Sequence, residues 1–241
     1  MRYAILSDVH ANLEALEAVL RALEKEHVDR LLCAGDLVGY GADPAACLAQ
    51  LRNQGAACVC GNHDYAVAGK LEPDWFNDQA RAAVEWTARC LPEPEKGYLE
   101  ELPLVWTDSN VTLVHGSVHE PEQFHYVMDL VNARASLDAQ KTPVAFIGHT
   151  HVPRIFAQQD GKVSTLRVQQ LRLDPKQKYL VNVGSVGQPR DGDPRAAYCL
   201  FDAEAQSLEI RRVPYEIARA QEKIVRNGLP RFLADRLSVG Y

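Results

Sequence analysis

The stretch Gly61-Asn62-His63-Asp64 follows directly on Ala56-Ala57-Cys58-Val59-Cys60, a short apolar run typical of a buried strand. The tetrad is therefore predicted to lie in a loop at a strand end, where open α/β sheets bind ligands. Gly61 lets the backbone turn and Asn62 offers an amide oxygen. His63 can bind metal or transfer a proton, and Asp64 can orient the histidine.

Four further polar segments follow apolar runs elsewhere: Asp8-Val9-His10, Gly35-Asp36, His115-Gly116 and Gly148-His149-Thr150-His151. A single histidine at a strand end is usually structural, but five of the eight histidines fall within these motifs. Clustered carboxylates, imidazoles and an amide suit two borderline divalent cations such as Mn²⁺, Fe²⁺, Co²⁺, Ni²⁺ or Zn²⁺. In an extended strand, residues i and i+2 point the same way, so Asp-x-His and His-x-His are each expected to bind one ion from one side.

Hydrophobic periodicity predicts the order of the secondary structure. Strands are predicted at 3–6, 30–34, 56–60, 111–114 and 144–147, and helices after an Asn12 N-cap and over 44–53, 77–90 and 130–139. Segment 97–108 is expected to be a connector with a short strand near Leu104. Further strands are predicted at 154–158, 162–168, 179–183, 196–201 and 208–213, and closing helices over 215–227 and 230–238.

This pattern predicts an α/β fold, a layered α/β/β/α sandwich of two mixed sheets flanked by helices. The three strand–helix units at the start of the chain favour a largely parallel sheet with right-handed crossovers. A single domain is expected to cover residues 1–241.

The composition is that of an ordinary globular protein, with 46% hydrophobic and 24% charged residues. A net charge of -6 argues against general nucleic-acid binding and against a polybasic membrane binder, but a small phosphorylated substrate stays compatible. No apolar stretch has membrane-spanning length, and Met1-Arg2-Tyr3 leads into a strand, so a cytoplasmic location is expected. The six cysteines lack a disulfide-framework spacing, and Cys58 and Cys60 are expected to be buried strand residues and not zinc ligands.

The five motifs, in this order and spacing, resemble the signature blocks of the calcineurin-like metallophosphoesterase superfamily over about residues 1–190. Segments 8–16 and 184–191 further resemble its compact bacterial phosphodiesterase branch. One departure is Gly39, at a position where many relatives carry a second aspartate.

The resemblance implies a centre of two divalent metal ions, manganese first, with iron, zinc, nickel or cobalt as alternatives. One ion would be held by Asp8, His10, Asp36 and His151, and the other by Asp36, Asn62, His115 and His149. Asp36 would bridge them, which agrees with the need for an anion between two cations about 3.5–4 Å apart. A hydroxide bridging the ions would attack the phosphorus. His63 would protonate the leaving oxygen or stabilise the pentacoordinate state, and Asp64 would hold its imidazole.

Three other residues are candidates for substrate binding. Arg190 could clamp a phosphate oxygen or could lie on the surface. Asn12 could touch substrate, although capping of the first helix is the stronger interpretation. Tyr40, in Gly39-Tyr40-Gly41, could overhang the metals and stack on a base, or could belong to a plain turn.

The leading hypothesis is a phosphodiesterase or dinucleoside-polyphosphate hydrolase that acts on a small phosphorylated substrate, nucleotides included. A phosphomonoesterase, including a phosphoprotein phosphatase, is the alternative, because the motifs do not identify the leaving group. A third hypothesis is a non-catalytic scaffold like the retromer subunit of this fold. The presence of His63 and of every matched ligand argues against it. A homo-oligomer is compatible with the sequence.

Overall fold

The computed structural model describes residues 1–166 and 168–241, which form twelve strands and eight α-helices. To residue 114 these are β1 (Arg2–Leu6), α1 (Leu13–Leu23), β2 (Arg30–Cys33), α2 (Pro44–Asn53), β3 (Ala57–Cys58), α3 (Asn62–Val67), α4 (Asp78–Cys90), α5 (Glu93–Glu101), β4 (Val105–Thr107) and β5 (Val111–Val114). They continue with α6 (Leu130–Ala139), β6 (Val144–Ile147), β7 (Arg154–Gln159), β8 (Lys162–Leu166), β9 (Gln170–Arg172), β10 (Lys178–Asn182), β11 (Ala196–Asp202), β12 (Ser207–Val213), α7 (Ile217–Arg226) and α8 (Arg231–Asp235). Short 3₁₀ helices lie at Pro73–Trp75, Pro121–Gln123 and Arg236–Ser238.

The strands form two six-stranded sheets. The first has the order β3-β2-β1-β11-β12-β9, and the second has the order β4-β5-β6-β10-β7-β8. Strands β1, β2 and β3 are parallel to one another, as are β5, β6 and β10, while the outer pairings are antiparallel. Because the carboxyl ends of parallel strands meet at one edge of a sheet, the polar motifs that follow these strands are brought together.

The main core lies between the two sheets. Alternate residues of β1 point to opposite faces, so Tyr3 and Ile5 pack against the second sheet. Ala4 and Leu6 pack instead against the helices that cover the first sheet. Helix α6 covers the second sheet, with Leu137 fully buried in that layer. The expected α/β/β/α sandwich of two mixed sheets is therefore confirmed.

The tetrad Gly61-Asn62-His63-Asp64 does not lie in a loop, because helix α3 begins at Asn62. Gly61 takes the N-cap position, and its N–H donates to Asp64 Oδ2 at 3.0 Å. A carboxylate in the first turn accepts from an otherwise unpaired backbone amide, and its negative charge is stabilised by the positive end of the helix dipole. A six-residue helix carries too little apolar periodicity to be predicted from sequence.

The prediction of a connector over 97–108 is wrong for its first half, where helix α5 runs from Glu93 to Glu101. Pro92 and Pro94 follow the end of α4 at Cys90 and stand at the start of α5, where proline lacks only an N–H that needs no partner. Strand β9 was not predicted, and the expected strand over 162–168 ends at Leu166, with its next residue outside the described part. Among the helices described, none combines the length and apolar character required to cross a bilayer.

Candidate metal centre

The loops that follow the parallel strands have left-handed backbone at most of the candidate ligands. Positive φ angles occur at Asp8 (52°), His10 (48°), Asp36 (52°), His149 (66°) and His151 (60°). Such φ values cost non-glycine residues about 1–2 kcal/mol each and are found where surrounding structure holds them for a function. The expectation of an extended backbone at these pairs is therefore wrong. Asp8 and His10 nevertheless reach one cluster, whereas His149 and His151 reach two different clusters.

The first cluster contains Asp8, His10 and His151, whose potential ligand atoms all lie within 4.8 Å of one another. His10 Nδ1 donates to Val38 O at 3.1 Å, and His151 Nδ1 donates to Gln188 O at 2.6 Å. A neutral imidazole that donates from Nδ1 presents a lone pair at Nε2. The two Nε2 atoms nevertheless lie only 3.1 Å apart. Two lone pairs that face each other repel, so this donor set fits a cation.

The second cluster contains Asp36, His115 and His149. His115 Nδ1 donates to Ala34 O at 2.7 Å, which leaves its Nε2 as an acceptor. That Nε2 lies 3.0 Å from His149 Nδ1, 3.3 Å from Asp36 Oδ2 and 3.1 Å from Asn62 Oδ1. Asn62, at the start of α3, thus adds a fourth potential ligand atom to this cluster. Four side-chain atoms that can each bind metal and lie close together also fit a cation.

Asp36 joins the two clusters. Its Oδ2 lies 3.5 Å from His10 Nε2 in the first cluster and 3.3 Å from His115 Nε2 in the second. Its Oδ1 accepts the backbone N–H of His63 at 2.9 Å. A Cβ at Gly61 would lie 2.1 Å from Asp36 Oδ1, so glycine is needed there for close approach. The carboxylate is placed where a bridging ligand would have to be.

The electrostatics of the centre follow from burial among opposite charges. Burial lowers the pKa of His10, His149 and His151 well below the usual value, which favours the neutral form that binds metal. Burial also lowers the pKa of His115, but the Asp36 carboxylate overcomes it and raises that pKa to about 9. Burial raises the pKa of Asp8 to about 7. A bound cation would relieve this competition for protons, since it stabilises every ligand in its deprotonated form.

Asp64 does not hold the imidazole of His63, contrary to the prediction. Its Oδ1 accepts from the backbone N–H of Leu37 at 2.9 Å and of Val38 at 3.1 Å, while Oδ2 accepts from Gly61. The side chain is fully buried. Asp64 therefore ties the loop that carries Asp36 to the loop that starts α3, and it acts on the site through the backbone.

His63 is buried beside the first cluster, and one of its ring nitrogens lies within 4.8 Å of the ligand atoms of His10 and Asp36. Its Nδ1 has no hydrogen-bond partner among the described residues. A Cβ at Gly39 would lie 2.4 Å from that Nδ1, so the ring packs directly against the glycine. Burial lowers the pKa of His63 to about 4. Because no acceptor faces Nδ1, the neutral ring is expected to carry its proton on Nε2.

The three predicted substrate residues differ in their placement. Asn12 caps α1, since its Oδ1 accepts from Ala15 N–H at 3.1 Å, and its Nδ2 donates to Gly187 O at 2.8 Å. Both ends of the amide are thus engaged, and the capping interpretation of Asn12 is confirmed. Tyr40 lies over the centre, with its ring centroid 4.5 Å from that of His10 and 4.4 Å from that of His63. Arg190 is partly buried, and its guanidinium carbon lies 5.6 Å from the centroid of Tyr40.

Sequence reasoning missed the aromatic residues around the centre. Tyr126 stacks on His149, with centroids 3.8 Å apart and rings 19° from parallel. Phe124 meets His115 edge-on at 6.1 Å, and Phe76 meets His63 edge-on at 4.8 Å. These residues lie in irregular or 3₁₀ segments or just beside them, where no periodicity marks them. Phe124 and Tyr126 stand two positions apart and close behind the His115 motif, and this spacing could have indicated that aromatic residues lie near the centre.

Two overlapping clusters of carboxylate, imidazole and amide, which follow strands of both sheets, could hold two divalent cations. A family model of the calcineurin-like phosphoesterase superfamily domain matches residues 1–206, and the chain belongs to that superfamily. The superfamily uses dinuclear divalent metal centres and hydrolyses phosphoesters. The His/Asp clusters described above are therefore the potential metal-binding residues of a metallophosphoesterase.

The chain is similar over its whole length to several individual proteins. An uncharacterized protein of Methanocaldococcus jannaschii is 38% identical over 98% of this chain and 97% of its own length. The crystal structure of a metallophosphoesterase from Sphaerobacter thermophilus is 40% identical, with a TM-score of 0.88 over 100% of this chain and 99% of that one. A hypothetical protein from Pyrococcus horikoshii OT3, 19% identical, shares the fold with a TM-score of 0.81 over 100% of this chain and 98% of its own.

Proposed function

We propose that this chain is a dinuclear metal-dependent phosphodiesterase of the cytoplasm that acts on a small phosphorylated substrate, with dinucleoside polyphosphates within its range. The observation that carries the proposal is the position of Asp36, whose Oδ2 lies 3.5 Å from His10 Nε2 and 3.3 Å from His115 Nε2. One carboxylate oxygen between two groups of lone pairs is the arrangement that two neighbouring cations require.

The ligands are assigned from the two clusters. One ion would be held by Asp8, His10, Asp36 and His151, and the other by Asp36, Asn62, His115 and His149. Mn²⁺ is the first expectation, and Fe²⁺, Zn²⁺, Ni²⁺ or Co²⁺ would also accept these ligands. The ions would supply Lewis acidity toward the phosphoryl oxygens and a water molecule acidified enough to act as the nucleophile.

The chain's own groups would act on the substrate. His63 would hydrogen-bond to the leaving oxygen through its Nε2–H. Its imidazolium form, stabilised by the negative charge of a bound phosphoester, would donate that proton and return to the neutral ring. Arg190 would pair with a phosphate oxygen, because its guanidinium lies beside Tyr40 over the first cluster. Tyr40 would exclude water from the His10 side, since only 8% of this residue is exposed.

Metal removal is the first test. Protein treated with a chelator and then dialysed should lose hydrolysis of bis-p-nitrophenyl phosphate, and added Mn²⁺ should restore it. Undiminished turnover by protein that elemental analysis shows to be metal-free would overturn the proposal. A panel of p-nitrophenyl phosphate, nucleotide diesters and diadenosine tetraphosphate then decides the ester class, and a kcat/KM highest for the monoester would replace the diesterase assignment with the phosphomonoesterase alternative.

His63→Ala tests the proton donor. Loss of a positioned acid should reduce kcat by about 10²–10⁴-fold while both ions stay bound. The loss should be greater for a nucleotide diester than for bis-p-nitrophenyl phosphate, because nitrophenolate leaves without a proton and a ribose oxygen does not. His27→Ala, at an exposed position on the link between α1 and β2, is the matched control. Equal losses for the two substrates would exclude proton donation.

A further inference from the structure

An open pocket of about 450 Å³ lies beside the candidate metal centre. Its lining includes Asn62 and His149 of the second cluster, and His63, which lies beside the first. Aromatic side chains make up much of the rest of the lining: Tyr40, Tyr65, Trp75, Phe76, Phe124 and Tyr126. We call it the aromatic pocket. Small-molecule sites typically have volumes of about 300–1,000 Å³ and combine aromatic side chains with polar groups that fix orientation, and this pocket has such a volume and such a mixed lining.

Two of the wall residues expose large aromatic surfaces. Trp75 is 81% exposed, and Tyr126 is 49% exposed although one face of its ring stacks on His149 at 3.8 Å. The stacking fixes the plane of Tyr126 and leaves ring surface open to the pocket. Exposed aromatic groups that line one pocket beside a candidate metal centre indicate a binding surface. Their shape suits a planar ring.

The loop that carries two of the wall residues is held in a strained conformation. Phe124 has a φ of 48° and Glu120 has a φ of 50°, in the region that bulky side chains rarely adopt. Phe124 is only 7% exposed and meets Tyr65 edge-on at 5.6 Å. A Cβ at Gly116 would lie 2.9 Å from the Phe124 backbone, so the loop folds tightly over the end of β5. Packing thus maintains a costly backbone that places Phe124 and Tyr126 at the pocket.

The charges in the pocket argue against a second phosphate as its occupant. Lys70 is the one cationic residue among the lining residues, and its Nζ already donates to Glu100 O at 2.6 Å. Glu122 adds a negative charge to the lining. Gln123 offers a neutral amide that can both donate and accept. Aromatic surface with neutral hydrogen-bonding groups selects an uncharged planar heterocycle.

We infer that the aromatic pocket binds a nucleobase and makes the substrate a nucleotide ester, with Trp75 and Tyr126 as the residues that determine specificity. The inference rests on the proposed function, because the base reaches the pocket when the phosphate to which its ribose is attached lies at the metal clusters. Stacking on aromatic side chains tolerates any of the bases, so preference for a base over no base should exceed preference among bases.

Equilibrium binding tests the inference without turnover. Isothermal titration calorimetry on the Mn²⁺-loaded protein should show adenosine 5′-monophosphate binding about 5- to 100-fold more tightly than ribose 5-phosphate, the usual range for a stacked base. Uridine 5′-monophosphate should fall near the adenosine nucleotide. Trp75→Ala and Tyr126→Ala should each reduce the ratio of the two affinities by about fivefold or more. Phe232→Ala, an aromatic on α8 that is 49% exposed outside the pocket, should leave the ratio unchanged.

Several outcomes separate this inference from the proposed function. Equal affinities for the nucleotide and ribose 5-phosphate in the parent protein would overturn the base pocket. The same would follow if the Trp75→Ala/Tyr126→Ala double variant kept the ratio of affinities measured for the parent protein. A clear preference for the nucleotide in a protein that hydrolyses no phosphoester would overturn the proposed function and support the base pocket. Phosphoester hydrolysis with no preference for a base would support the proposed function and overturn the base pocket. Thermal unfolding of the variants, both at exposed positions, checks that they fold.

Discussion

Asp64→Asn is expected to destabilise the protein by about 3–5 kcal/mol, because Asp64 accepts from three buried backbone amides. An asparagine in its best orientation keeps an oxygen toward Leu37 and Val38 and turns its NH₂ group toward the N–H of Gly61. The loss of one charge-assisted hydrogen bond costs about 1.5–3 kcal/mol, and the buried amide left without an acceptor costs about 1–3 kcal/mol more. For a chain of this size, each kcal/mol lowers Tm by about 2–4 °C, so a decrease of about 10 °C is expected.

Thermal unfolding followed by circular dichroism, with and without Mn²⁺, is the assay. Asp138→Asn is the control, since it makes the same chemical change at an exposed carboxylate, which accepts from the Gln158 side chain. A change of at most about 0.5 kcal/mol is expected there. The account of Asp64 would be refuted by a variant that unfolds within 2 °C of the parent, on the order of the shift from 1 kcal/mol, yet has lost activity. That result would indicate that Asp64 acts directly on His63.

Three further predictions concern the centre itself. Asp36→Asn should abolish activity and lower the occupancy of both ions measured by elemental analysis, because a neutral amide cannot offset the repulsion between two cations; two tightly held ions would contradict the bridging position. Gly39→Ala should reduce kcat at least about tenfold and lower stability by about 1–3 kcal/mol, since its Cβ would lie 2.4 Å from His63 Nδ1. Gly192→Ala has a similar φ, 83° against 89°, with nothing within 4 Å of the Cβ, so equal effects of the two changes would exclude a steric cause. Arg190→Ala should raise KM more than it lowers kcat, most of all for substrates with several phosphates, and unchanged kinetics would place Arg190 outside the substrate site.

The sequence predicts the parts of the fold whose signals are local. Helix α2 has the predicted bounds, Pro44–Asn53, because a proline in its first turn marks the start. Helix α6 and strand β6 also have the predicted bounds, since an amphipathic pattern and an apolar run delimit them. Helix α3 was missed because six residues show little periodicity. Helix α5 was missed because a proline pair is as typical of a helix end as of a helix start.

The candidate ligands could be predicted to lie together because parallel topology alone gathers residues that follow strand ends. The partners of individual side chains could not, since they depend on contacts between distant segments. Asp64 bonds amides 26 and 27 residues away as well as that of Gly61, and Tyr126 reaches His149 through an irregular loop. Their neighbours in sequence contain no trace of these contacts.

The candidate ligands come from both sheets, since Asp8, Asp36 and Asn62 follow strands of the first sheet and His115, His149 and His151 follow strands of the second. Two bound ions would therefore form reversible crosslinks between the two sheets along one edge. Each tenfold rise in free metal above the dissociation constant would add about 1.4 kcal/mol per site against separation of the sheets. Amide hydrogen exchange should slow at the carboxyl ends of β1 and β6 when metal is added, and much less at their opposite ends, so that the metal supply of the cell would control how readily this edge of the protein opens.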